Sequence, residues 1–232
     1  KIGSIQGTQL QQVEEAFDAY GRAYRIDPAC EVAREHIEYI AEAVDKWEEL
    51  VSLYEEPLDG VDDPQLGNLI ALKIAQVYWE QLEDPARAQE FYRRALAFLP
   101  DDTQAIEALE RLYMEGEQWE ELQGIYRRQV EMTESLEEKQ GILFQIASVW
   151  EDMLDSPEEA VATYQEVLDG DMVNERALQS LERLFLGLER WNDLADNLQR
   201  QLSLAEDSQT QIDLKARLAQ LQEERLEDLA SA

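Results

Sequence analysis

Three stretches of the chain are copies of one another at a constant spacing. Residues 37–57 read IEYIAEAVDKWEELVSLYEEP, residues 109–129 read LERLYMEGEQWEELQGIYRRQ, and residues 181–201 read LERLFLGLERWNDLADNLQRQ. Their tryptophans, Trp47, Trp119 and Trp191, stand 72 residues apart, and Leu50, Leu122 and Leu194 keep the same interval. The period extends beyond these segments. Ile74, Ala75, Val77 and Tyr78 correspond to Ile146, Ala147, Val149 and Trp150, and Pro85 corresponds to Pro157. Ala16, Ala88 and Ala160 form one series, Tyr20, Tyr92 and Tyr164 another. A fixed period of this length means copies of one supersecondary unit, none able to bury its apolar face without its neighbours.

Within each period the pattern is helical four times over. In the middle copy, apolar residues at 70, 71, 74, 75, 77, 78 and 82 form the stripe of an amphipathic helix running from about Asp63 to Gln81. Asp63, Ser135 and Asp207 hold its N-cap position in successive copies, and Ser135-x-x-Glu138 has the form of a capping box. A second helix starts at Asp84-Pro85, repeated as Ser156-Pro157, with proline where no amide donor is needed. It runs to about Leu99. A third spans about Asp102 to Gly116, with Asn174 as the equivalent cap, and a fourth carries Trp119, Leu122, Ile125 and Tyr126. Connections of a few residues force antiparallel neighbours.

The spacing therefore predicts an all-α chain in one array over residues 1–232. Its double-hairpin units would be about 1–72, 73–144 and 145–216, with a terminal helix over 207–229. Residues 1 to 9 take the place of a first helix but are weakly helical, with Gly3, Gly7 and little amphipathic pattern. The predicted repeat core includes Trp47, Trp119, Trp191, Tyr92 and Tyr164, each tryptophan wedging one hairpin against the next.

Charge narrows the function. With 52 acidic and 20 basic residues the formal charge is −32. That field disfavours non-specific binding to nucleic acid, which relies on clustered Lys and Arg, and attracts basic partners. It also keeps a surface-rich molecule soluble. Cys30 is the only cysteine, so neither an intrachain disulfide nor a thiolate metal cluster is possible. A single thiol fits a reducing compartment, so a cytoplasmic location is expected, with a previously removed signal peptide as the alternative. No apolar run is long enough to span a bilayer. A start at Lys1 rather than Met suggests a fragment or a processed chain.

No arrangement of residues resembles an active site, so no enzymatic activity, cofactor or metal is expected. His36, the only histidine, has no catalytic partner in its segment. Asp169-Gly170-Asp171 lacks the glycine and terminal glutamate placement of a calcium loop and reads as a turn. Paired carboxylates carry no information in so acidic a chain.

The half-units resemble tetratricopeptide repeats. Ile74-Ala75…Tyr78, then Ala88…Tyr92, then Pro100 follow that family's pattern, and Leu109…Tyr113, Trp119, Leu122 and Tyr126 follow it in the next half-unit. The resemblance covers roughly residues 10 to 230. Two departures stand out. The half-period is about 36 residues against the usual 34 or so, and Glu110 and Glu182 replace a small residue. A half-helical repeat family of RNA-processing proteins also uses prominent tryptophans, but its broader motifs are not evident here. The resemblance implies a right-handed superhelical solenoid acting as a protein–protein interaction scaffold, with a protein or peptide held in a concave groove. A structural spacer within a larger repeat protein or assembly is the alternative.

With Ile74, Ala75 and Tyr78 toward the paired helix, the groove side is expected to carry Leu69, Leu72, Gln76 and Trp79. Gly141, Phe144, Ser148 and Glu151 are expected in the next copy, and Glu35, Tyr39, Glu107, Arg111, Gln179 and Arg183 in the alternate hairpins. Trp79 stands out because its equivalents are Gly7 and Glu151, so repeat packing does not require an aromatic there. Chaperone-binding members of the family grip a terminal carboxylate with Lys, Asn and Arg. The corresponding places here hold Leu, Gln, Trp, Glu and Ser, so that specificity is not expected. The partner expected instead is a protein or peptide with basic segments and an apolar anchor, and neither nucleic acid nor a membrane.

Overall fold

A computed structural model describes the backbone of residues 2–225 and the side chains of residues 12–225. All regular structure among the described residues is α-helical, in twelve helices. They fall into two compact units, Lys1–Glu117 and Gln118–Ala232.

The first unit contains α1 (Ile2–Ile26), α2 (Glu31–Val44), α3 (Trp47–Leu58), α4 (Pro64–Glu80), α5 (Pro85–Phe98) and α6 (Thr103–Glu115). Each helix packs on the next in sequence, and α1 also touches α3. The second unit contains α7 (Trp119–Met132), α8 (Leu136–Asp152), α9 (Pro157–Gly170), α10 (Glu175–Gly187), α11 (Trp191–Leu204) and α12 (Ser208–Glu224), again packed in chain order. The last residues of the helix expected over 207–229 lie outside the described residues.

Helix starts follow the cap chemistry. Asp63 accepts from Gln65 N at 2.9 Å, Asp84 from Arg87 N at 3.0 Å, Asp102 from Ala105 N at 2.8 Å and Asn174 from Ala177 N at 3.0 Å. Asp207 accepts from both Gln209 N and Thr210 N. Two details differ from expectation. Ser135 Oγ accepts from Glu138 N, but the Glu138 carboxylate accepts from Thr133 Oγ1 at 2.5 Å rather than closing a capping box. Ser156 Oγ donates to Leu154 O, so proline at the first position of α9 marks that start without a side-chain cap.

The amino-terminal helix corrects the sequence expectation. α1 runs unbroken from Ile2 to Ile26, through residues expected to be weakly helical. The positions of Asp84-Pro85 and Ser156-Pro157 are held in α1 by Gln12-Val13, neither a cap nor a helix breaker. Without a stop signal, the chain continues as helix.

The period reappears in the backbone. Asp45, Glu117 and Glu189 adopt left-handed φ of 58°, 52° and 55°, and Glu83 and Asp155 adopt 51° and 47°. These are equivalent positions after α2, α6 and α10, and after α4 and α8. Glycine is the usual residue for this turn, so an acidic residue in each place carries a local strain.

Of the expected repeat core, the two tyrosines are buried and the three tryptophans only half-buried. Ile74, Ala75, Ala88, Ile146, Ala147 and Ala160 are fully buried, and Tyr92 and Tyr164 nearly so. Gly67 brings α4 close to α5, since a Cβ there would lie 2.4 Å from Phe98 Cε1. In the next copy the sizes are exchanged: Lys139 stands at the glycine's position and Gly170 at the phenylalanine's. Ion pairs join successive hairpins, among them Arg25–Glu56, Arg94–Asp59, Arg127–Glu166 and Arg183–Glu151.

Candidate functional site

In the first unit, α2 and α4 both pack on α3 and leave a cleft of about 410 Å³ above it. Helical spacing decides which side chains line it. From α2 come Glu35, Glu38, Tyr39 and Glu42, and from α4 come Lys73, Gln76, Val77 and Glu80, two stripes of identical spacing. The floor is Trp47, Leu50 and Tyr54 of α3, one turn apart along the helix.

The floor is apolar and the rim acidic. Leu50 and Tyr54 are 1% exposed, whereas Tyr39 at the lip is 72% exposed. Four carboxylates face one ammonium. Glu38 is already engaged: its Oε1 accepts from the Tyr54 hydroxyl at 2.9 Å and its Oε2 from Lys73 Nζ at 3.1 Å. Burial first, then the neighbouring Glu38 carboxylate, pushes the Tyr54 hydroxyl far above the usual tyrosine range, so it remains a donor. Glu80 accepts from Gln76 Nε2 at 3.1 Å within its own helix. Glu35 and Glu42 make no hydrogen bond or ion pair among the described residues. An exposed ring flanked by two carboxylates without partners favours a ligand carrying apolar surface and positive charge.

The second unit holds a copy of this cleft, about 270 Å³ between α10, α11 and α12. A shift of 144 residues carries Glu38, Trp47, Leu50, Lys73, Gln76 and Glu80 onto Glu182, Trp191, Leu194, Arg217, Gln220 and Glu224. The Lys73–Glu38 pair becomes Arg217–Glu182. One difference adds a cation. Where the first cleft has Gln81, the second has Arg225, whose guanidinium lies 4.8 Å from the Trp191 ring centroid.

Of the groove residues expected from sequence, Glu35, Tyr39 and Gln76 line the first cleft. Leu69 is exposed and Trp79 half-buried on α4, and Arg111 is exposed on α6. Leu72 and Phe144 are buried; Phe144 packs on Tyr164 with Arg176 over its ring at 4.0 Å. Arg183 is exposed and pairs with Glu151 at 2.5 Å, while Glu151 also accepts from the Tyr164 hydroxyl at 2.8 Å. Trp47, Trp119 and Trp191 each open a helix, α3, α7 and α11, and each is half-buried. Trp47 belongs to the cleft floor.

Sequence reasoning passed over Glu38, Glu42, Lys73 and Glu80. The signal was present: Glu38 and Lys73 stand 35 residues apart, as Glu182 and Arg217 do. His36 stacks on Tyr20 at 4.5 Å and its Nδ1 donates to Val32 O, a packing role. Asp171 closes the turn after α9, accepting from Val173 N, Gln140 and Asn174. No described helix is long and apolar enough to cross a membrane.

An all-helical chain of hairpins, with a cleft between alternate helices and repeated side-chain positions, is a helical-repeat protein. Residues 70–102 and 105–140 match models of the tetratricopeptide repeat. Those residues carry tetratricopeptide repeats, a family whose members in general serve as non-catalytic scaffolds for protein or peptide partners. Among solved structures, it resembles a chain of Naa15/Naa10 bound to HypK-THB, with a TM-score of 0.53 at 13% identity, covering 98% of this chain and 34% of that one. It therefore spans about a third of that relative's length. It is also similar to a tetratricopeptide repeat protein from Parabacteroides merdae, 14% identical with a TM-score of 0.39, covering 99% and 88% of the two chains. YrrB, described as a TPR protein with an unusual peptide-binding site, is 18% identical with a TM-score of 0.38, covering 85% and 98%. No curated protein matches the chain in sequence.

Proposed function

We propose that this protein is an interaction scaffold that binds a segment of another protein in the cleft between α2 and α4. The segment would bear an apolar anchor and positive charge. The observation carrying this reading is the cleft itself: a floor of Trp47, Leu50 and Tyr54 under a rim of four glutamates and one lysine, with Tyr39 exposed at the lip. Apolar floor supplies affinity on desolvation, and the rim sets the sign of charge and the rate of encounter. Leu69, Trp79 and Arg111, on α4 and α6, are further contacts proposed for a segment longer than the cleft. The repeating module proposed is the 72-residue double hairpin over 1–72, 73–144 and 145–216.

Selection of random displayed dodecapeptides against the full chain tests the reading. Binders should be enriched in Lys or Arg beside an apolar residue, and Tyr39→Ala should weaken them at least fivefold without moving Tm. Binders indifferent to Tyr39→Ala would remove the cleft from the account. Affinity unchanged between 50 and 500 mM salt would remove the electrostatic part.

A further inference from the structure

The two copies of the cleft differ in one informative way: the second is supplied with a cation by its own chain. Arg225 sits over Trp191, and two carboxylates, Glu182 and Glu224, face two guanidiniums there, Arg217 and Arg225. In the first cleft Gln81 takes the place of Arg225, while Glu42 replaces Leu186 and Glu35 replaces Gln179. The arginine is gone and two carboxylates have been added to the lining of the equivalent cleft. Lys73 does not make up the difference, because its ammonium is committed to Glu38.

Resting on the scaffold reading above, we infer that the first cleft receives an arginine side chain of the bound segment, its guanidinium laid on Trp47 as Arg225 lies on Trp191. Glu42, on α2, and Glu80, on α4 and bonded to Gln76, would accept its N–H groups from opposite walls. Arginine suits this place better than lysine. Its planar guanidinium is weakly hydrated, stacks on an aromatic face and still presents in-plane donors, whereas an ammonium retains its water. The other inner helices do not offer the same reception: where α2 has Tyr39 and Glu42, α6 has Arg111 and Met114, and α10 has Arg183 and Leu186.

The test uses the full chain and three probes, acetyl-Gly-Leu-Arg-Leu-Gly-amide and its lysine and citrulline analogues, titrated at 150 mM salt. The readout is the Trp47 indole N–H resonance. The arginine peptide should bind at least fivefold more tightly than the citrulline peptide, which keeps the shape and loses the charge, with lysine between them. Gln81→Arg should supply the cleft's own guanidinium and reduce the arginine preference below twofold. Gln65→Arg, the same charge change at an exposed position on α4, should leave the preference intact. Equal binding of arginine and citrulline peptides overturns the inference, and so does a loss with Gln65→Arg equal to that with Gln81→Arg, which would mean diffuse attraction to an acidic surface. If the short probes fail while displayed peptides still depend on Tyr39, this inference falls and the scaffold stands. If both fail, both fall.

Discussion

Replacing Gly67 with alanine should change sign according to what stands at residue 98. A methyl at Gly67 would lie 2.4, 2.5 and 2.7 Å from three carbons of the Phe98 ring. Carbon atoms rest at about 3.5–4.0 Å, so the ring must retreat by about 1 Å or the helices must part. Overpacking of this kind costs about 1–3 kcal/mol, and three simultaneous contacts argue for the upper half. Against this, Gly→Ala within a helix gains about 0.8–1 kcal/mol. Gly67→Ala alone should therefore destabilise by about 1–2 kcal/mol. In a Phe98→Ala background the obstacle is absent, and the same substitution should stabilise by about 1 kcal/mol, a coupling of about 2–3 kcal/mol. Urea denaturation followed by circular dichroism, with amide exchange in α4 and α5 as the local readout, measures all four corners of the cycle. Two compact units need not unfold together, so the exchange data locate the effect. Additive substitutions, or a destabilising Gly67→Ala in both backgrounds, would refute the claim that the Phe98 ring is what glycine makes room for.

Four further outcomes follow from the geometry. Glu83→Gly should stabilise the chain by about 0.5–1 kcal/mol relative to Glu83→Ala, because only glycine adopts φ 51° without strain, and thermal melts of the pair decide it. Tyr164 is pushed up to about 12, by burial first and then by its hydrogen bond to Glu151. Its neutral hydroxyl thus contributes stability fully present below pH 10 and lost as pH rises toward 12. Alkaline melts should steepen in that window and flatten for Tyr164→Phe; identical profiles would exclude the assignment. Arg225→Ala should lower stability by about 0.5–1 kcal/mol through loss of the contact with Trp191, read from amide exchange in α11 and α12. Trp79→Ala should leave Tm nearly unchanged and weaken the selected peptides, and a large drop in Tm would mark Trp79 as core.

The elements that announce themselves by local chemistry were legible in the sequence. Asp63, Asp84, Asp102, Asn174 and Asp207 are caps whose partner amides lie two or three residues away, so sequence alone contains both halves of each interaction. The unbroken α1 was legible too, but only by noticing that Gln12-Val13 lacks a stop signal, rather than by weighing Gly3 and Gly7. The cleft was harder. Taking Ile74, Ala75 and Tyr78 as the inward face sets the orientation of α4, but a rotation of one residue separates Leu72, which is buried, from Lys73, which reaches Glu38. Periodicity fixes a stripe to within about a third of a turn, and the packing of α4 on both α3 and α5 fixes the remainder. The exchange of small and large side chains between Gly67/Phe98 and Lys139/Gly170 was visible as a pair only once the structure showed Gly67 against Phe98.

The arginine over Trp191 has its sequence equivalent in Gln81 of the first cleft, so a guanidinium can be grafted from one pocket into the other. Exchanging residues 81 and 225 should close the first pocket to a partner's arginine while leaving total charge untouched, and it should not open the second, where Arg183 and Leu186 stand in place of Tyr39 and Glu42.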